Sequence, residues 1–210
     1  MGLFLQHKTV DMQWAVWKME ESLDTLFSLL PDTRRVSCEQ EMQRFTSDRR
    51  KLEWLSVRVL LYSMLQEDKE IGYSSEGKPH LTDNSSFISI SHTKGYVAVM
   101  LASSVPVGID IEQYAQRVHK VCDRYVRPDE QVESYQGDIT WGLLLHWSAK
   151  EAVFKRMENA DADLRKLRLT HFIPQEEGTF QVQELVTAQQ ELYSVGYRIC
   201  PDFVLTWTLN

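Results

Sequence analysis

Cysteine is scarce in this chain: three residues among 210, Cys38, Cys122 and Cys200. Their number is odd, they are scattered, and no C-x-x-C pair occurs. No disulfide framework is written here, and reduced thiols of a cytoplasmic protein are expected. Basic residues are also short, 23 Lys and Arg against 30 Asp and Glu, for a net charge of −7. That balance argues against general nucleic-acid binding, which favours basic patches, but it leaves an anionic ligand open because local lysines decide that. No stretch of about 20 apolar residues could span a membrane, and no N-terminal apolar run has the form of a signal peptide. Low-complexity segments are absent. What remains is a chain with 43% hydrophobic residues, enough for a core, and a length that suits one large or two small domains.

The chemistry is concentrated in a few short runs. In Val107-Gly108-Ile109-Asp110-Ile111-Glu112 apolar and polar residues alternate, which predicts a β-strand. Side chains two apart share a face. Val107, Ile109 and Ile111 are therefore expected in a core, and Asp110 and Glu112 together on the other side, with Gly108 leaving that face open before them. Adjacent carboxylates repel, and each raises the other's pKa unless a cation sits between them. Mg²⁺ is held by one or two carboxylates with phosphate oxygens and water. Taken alone, the run reads better as an edge strand with two solvated acids.

From Leu143 to Arg168 there is no Gly or Pro, and helix formers dominate. Helical spacing puts Leu145, Ala149, Ala152 and Val153 on a packing side and aligns Trp147, Glu151 and Lys155 in one stripe. Lys150 lies beside Glu151. Alone this is a surface helix with an ion pair. With the strand acids it offers a third carboxylate and two lysines.

Upstream, Gly77-Lys78-Pro79 is a turn carrying a cation, and Phe87 to His92 alternates as a strand ending in Ser91 and His92. Lys94-Gly95 supplies a hairpin turn, Tyr96 to Ala102 reads as a buried strand, and Pro106 marks the next turn. This predicts a three-stranded antiparallel meander with His92 in the same sheet as Asp110 and Glu112. A candidate helix over Asp48–Leu61 precedes that meander. A second helix, Trp147–Met157, precedes strand candidates over Thr179–Val186 and Gly196–Leu209. Helix followed by antiparallel strands, twice, suggests two similar halves.

The ordered set Gly77-Lys78-Pro79, Ser89-Ile90-Ser91-His92, Gly108-Ile109-Asp110-Ile111-Glu112 and Trp147-Ser148-Ala149-Lys150-Glu151-Ala152-x-x-Lys155 closely resembles the 4′-phosphopantetheinyl transferases of the larger, monomeric Sfp-like class. The resemblance implies an α+β fold of two pseudo-twofold-related α/β halves, each a helix on a small antiparallel sheet, with the active site in the cleft between them. Residues 1–105 would be the nucleotide-side half and 106–210 the half with metal and catalytic residues. The implied reaction moves 4′-phosphopantetheine from coenzyme A to a serine of an apo acyl or peptidyl carrier protein in the cytoplasm. The implied metal is Mg²⁺ or Mn²⁺, held by Asp110, Glu112 and Glu151. Glu151 would be general base and Lys155 proton donor. Lys78, Ser91, His92, Lys150, Lys155, Arg50 and Arg58 would bind coenzyme A, and Glu130 matches a further family carboxylate.

Arg117, Lys120 and Arg124 would share one helical face, interleaved with Val118, Val121 and Tyr125, and form a patch for an acidic carrier protein. The alternatives are a different Mg²⁺-dependent phosphodiester-processing enzyme and a relative that binds coenzyme A or carrier protein without turnover.

Overall fold

The computed structural model describes residues 2–157 and 163–209. The chain is a mixed α+β protein with antiparallel sheets and, among the described residues, four α-helices. It divides into two compact units, Met1–Ser104 and Val105–Asn210.

The first unit opens with a hairpin of β1 (Leu3–Lys8) and β2 (Met12–Lys18). Helices α1 (Leu23–Ser28), α2 (Asp32–Met42) and α3 (Asp48–Leu65) follow, then a small ribbon of β3 (Ile71–Tyr73) and β4 (Pro79–Leu81). A second hairpin of β5 (Phe87–Thr93) and β6 (Tyr96–Ala102) completes the unit. Lys94-Gly95 closes that hairpin as expected, with Gly95 at φ +84°, a conformation that suits glycine. The sheet order is β1-β2-β6-β5. Ser47 caps α3 by accepting the Arg50 N–H. The middle of α3, Glu53 to Leu61, is buried residue after residue, because α1 and α2 lie on one side and β2 and β6 on the other. A helix covered all round needs no amphipathic stripe.

The expected meander does not form. All seven residues of β6 are buried, and its two edges are taken by β5 and β2. The amino-terminal hairpin, whose Trp14–Trp17 are buried, supplies the neighbour that the Asp110 strand was expected to be. His92 and Asp110 therefore lie in different sheets and different units.

The second unit is built on β7 (Ile109–Gln113), α4 (Ile139–Arg156), β8 (Leu167–Leu169), β9 (Glu177–Glu184), β10 (Leu192–Ile199) and β11 (Phe203–Thr208), with sheet order β7-β11-β10-β9-β8. The run Gly196–Leu209 is not one strand. Pro201 offers no N–H, and the chain reverses there so that Ile199 pairs with Val204. Asp138 caps α4 by accepting the Thr140 N–H at 2.8 Å. Leu145, Ala149, Ala152 and Val153 are buried as their spacing implies. The helix packs across β7 and β11. At Gly108 an added Cβ would stand 1.8 Å from the Ala152 carbonyl oxygen. Gly108 thus does not leave a face open; it lets the α4 backbone press against the chain just before β7. Among the described residues no helix is long and apolar enough to cross a membrane.

Candidate active site

Asp110 and Glu112 leave β7 on the side that α4 covers. Lys155 Nζ donates to Asp110 Oδ1 at 2.8 Å and to the Ile109 carbonyl at 3.0 Å. Trp147 Nε1 donates to Glu112 Oε1 at 3.0 Å. The ends of the helical stripe therefore bracket the strand acids, and the solvated-edge reading fails. Burial pushes the Glu112 carboxyl up and the Asp110 charge adds to it, to about 7. Glu151 is raised by burial first and then by Asp110, with Lys155 opposing. Asp110 is thus the charge that both glutamates feel.

Three carboxylates against one ammonium leave excess negative charge, and every donor is a carboxylate oxygen, the chemistry of a hard divalent ion. Lys155 already stands against Asp110 as a monovalent cation. Among the described residues no three His, Cys, Asp or Glu side chains are gathered closely enough to hold an ion as they stand. Asp110, Glu112 and Glu151 fit a metal in charge and donor type.

Lys150 goes elsewhere. It sits about 100° round the helix from Glu151 and so leaves the stripe. Its side chain and that of Glu130 are both 0% exposed. Lys150 Nζ donates to Glu130 Oε2 at 2.8 Å and to the Tyr125 carbonyl at 2.6 Å. Glu130 also accepts the Arg127 N–H at 2.7 Å and the Leu169 N–H at 2.6 Å. Burial lowers the Lys150 pKa, and Glu130 opposes the shift. The structure brings neither residue to the acid cluster: Lys150, expected to contact phosphate, and Glu130, expected as a further site carboxylate, are a buried pair.

The basic segment after β7 is not one α-helix. It forms two 3₁₀ turns, Gln116–Lys120 and Cys122–Arg124, interrupted at Val121. The single face of Arg117, Lys120 and Arg124 is lost. Arg117 and Lys120, three apart, still align in a 3₁₀ turn. They line a recess of about 340 Å³ with Val118, Val121, Trp147 and Glu112. Arg124 lies in the second turn, outside that lining.

In the first unit, a cleft of about 230 Å³ is lined by Arg50, Glu53, Arg58, Gly77, Ile90 and His92, among others. Arg50 Nη1 stands 2.7 Å from His92 Nε2. The guanidinium can only donate, so Nε2 accepts and the ring proton is assigned to Nδ1. Glu53 Oε2 lies 3.3 Å from both. Arg58 is buried with its guanidinium 3.4 Å from the centre of the Trp54 ring. The structure gathers Arg50, Arg58 and His92. Gly77 and Pro79, on either side of Lys78, also border the cleft. Ile90 and His92 face it, so alternation turns Ser91, which is buried, to the other side of β5.

Two residues in these sites escaped sequence reasoning. Glu53 was legible only as an acid three and four residues after Arg50 and Arg49. Trp147 was visible at the head of its stripe, but nothing in the spacing announced its hydrogen bond to Glu112.

No curated protein matches the chain. Residues 106–208 match the family model of the 4′-phosphopantetheinyl transferase superfamily. The matched stretch holds the acid cluster, the buried pair and the basic recess. Phosphopantetheine transfer, with coenzyme A as substrate, is the chemistry the family match supports, and the second unit of this chain is a 4′-phosphopantetheinyl transferase superfamily domain.

Proposed function

We propose that the chain is a holo-carrier-protein synthase of the larger Sfp-like class. In this reading it moves 4′-phosphopantetheine from coenzyme A to a serine hydroxyl of an apo acyl or peptidyl carrier protein. The observation that carries it is the cluster of Asp110, Glu112 and Glu151 with Lys155 on residues matched to the family. Asp110, Glu112 and Glu151 would hold Mg²⁺ or Mn²⁺. Bound there, the ion supplies positive charge to the pyrophosphate and to the charge that develops on it.

The protein groups do the rest. Glu151, made more basic by burial beside Asp110, accepts the proton of the carrier serine, a poor nucleophile without such help. The serine Oγ–phosphorus bond forms at the β-phosphorus as the bond to the bridging oxygen breaks, releasing adenosine 3′,5′-bisphosphate. Lys155, 26% exposed at its side chain, donates the proton to that oxygen. Arg50 and His92 hold the nucleotide half, including its 3′-phosphate, by charge-assisted hydrogen bonds, with Lys78 at the cleft margin. Lys150 contributes through the buried pair rather than at phosphate. Arg117 and Lys120 dock the acidic carrier protein, a local attraction that outweighs the net −7. The protein works as a monomer in the cytoplasm, where free Cys38, Cys122 and Cys200 stay reduced.

The test is the intact mass of an apo carrier protein incubated with coenzyme A and Mg²⁺. It should gain one phosphopantetheine, and should gain nothing with Asp110→Ala. Coenzyme A bound without any mass gain would point to a non-catalytic relative. Cleavage of coenzyme A without carrier protein would point to a phosphodiester hydrolase.

A further inference from the structure

We infer that Trp147 is a positioning residue for Glu112, aiming that carboxylate at the cation through its indole N–H. The inference rests on the reading of the acid cluster given above. A glutamate side chain has three torsions, the last of them broad, so a ligating glutamate needs a partner to fix its direction. Asp110 is held by a charged donor, Lys155, at 2.8 Å. Glu112 is held by a neutral one, the Trp147 indole, at 3.0 Å through Oε1. A neutral donor sets the direction of the carboxylate without cancelling its charge. Glu112 therefore keeps its second oxygen, Oε2, for an ion, as an outer-shell hydrogen bond should allow.

Trp147 is itself fixed from behind. Its ring meets the Tyr125 ring edge to face, centroids 5.1 Å apart at 84°, and Tyr125 is fully buried. Lys150, one turn further along α4, takes the Tyr125 carbonyl at 2.6 Å. Ring and carbonyl of one residue are thus gripped by two side chains of the same helix. Glu130 completes the grip: it pairs with Lys150 at 2.8 Å and is anchored by the N–H groups of Arg127 and Leu169. A fully buried ion pair adds little net stability over apolar residues of the same size. Its effect here is geometric: it sets the segment that stands behind Trp147.

The experiment compares wild type with Trp147→Phe, which keeps a ring against Tyr125 and removes the N–H. Mn²⁺ alone is titrated into each full-length protein, with its binding followed by electron paramagnetic resonance. Separately, transfer to an apo carrier protein is measured across Mg²⁺ concentrations. Trp147→Phe should weaken Mn²⁺ by about tenfold, within the range for loss of an outer-shell partner. Its kcat should recover to near the wild-type value at saturating Mg²⁺. Unchanged Mn²⁺ affinity would overturn the inference, as would a kcat loss that no Mg²⁺ concentration repairs, since that is the mark of general damage. Asp110→Ala separates the two levels of the argument. If wild type binds no Mn²⁺, or Asp110→Ala binds it equally well, the acid-cluster reading falls and this inference with it. If Asp110→Ala loses Mn²⁺ while Trp147→Phe keeps it, only the role of Trp147 falls.

Discussion

Replacing Glu112 by glutamine should make the protein more stable at neutral and alkaline pH while removing its transfer activity. Burial and the Asp110 charge hold the Glu112 carboxyl near 7, against 4.5 for an ordinary glutamate. Because the folded value is the higher one, the folded state prefers the protonated acid. That preference contributes stability below about pH 4.5, and the contribution is lost as pH rises from about 4.5 through about 7. Two and a half pKa units at 1.36 kcal/mol each come to about 3 kcal/mol. Glutamine is neutral at every pH, and its carbonyl oxygen can still accept the Trp147 N–H, so it escapes the loss. In urea unfolding with divalent ions chelated, Glu112→Gln should exceed wild type by roughly 2–3 kcal/mol at pH 8, and the two should coincide at pH 4.5. Added Mg²⁺ should narrow the gap at pH 8 by stabilising wild type alone. A variant no more stable than wild type at pH 8, or an equal difference at both pH values, would refute the claim that the acid cluster stores like-charge repulsion and a desolvation cost.

The remaining predictions concern the lysines and the two binding surfaces. Lys150→Met should cost about 3–5 kcal/mol of stability by leaving Glu130 buried and unpaired, and Lys155→Met, which takes the ammonium from the nearly buried Asp110, should cost stability as well and in addition lose kcat; urea unfolding beside initial rates measures both. His92→Ala should cost about 1.5–3 kcal/mol in coenzyme A binding and much less with dephospho-coenzyme A, and equal losses on the two would remove His92 from the 3′-phosphate. Reversing Arg117 and Lys120 to glutamate should raise the KM for carrier protein and leave that for coenzyme A nearly unchanged, an effect that shrinks as salt screens exposed charge; an unchanged carrier KM at low salt would move the docking surface elsewhere.

Local pattern made the elements of the site legible. The alternation of β7, the stripe of Trp147, Glu151 and Lys155, and the Lys94-Gly95 hairpin each follow from side-chain period or backbone freedom, which neighbouring residues determine. Sheet membership was not legible. The alternation of β7 says which residues share a face and is silent about which strand lies alongside. β6 found β2, some eighty residues earlier, because a fully apolar strand needs a partner on each edge and the buried Trp14–Trp17 run supplies one. The basic segment failed for a related reason. Its spacing fits an α-helix, but successive 3₁₀ turns serve a short link whose Val118 and Tyr125 must both be buried.

Lys150 carries the more general lesson. In the run Trp147-Ser148-Ala149-Lys150-Glu151-Ala152, charge suggested that Lys150 and Glu151 act together on one ligand, yet consecutive helical residues point about 100° apart. Each position answers to a different neighbour. Trp147 reaches Glu112, Ser148 meets Thr206 of β11 at 2.9 Å, Lys150 enters the Glu130 pair, and the Ala152 carbonyl rests where Gly108 has no side chain. The motif is therefore the specification of how one helix seats on one strand. That seating has to be rigid, because the acids it covers repel one another: a strand free to move would relieve the repulsion by turning Asp110 or Glu112 to water. Close backbone approach at Gly108, the buried pair behind Trp147 and the Lys155–Asp110 bond hold the acids in place against that repulsion.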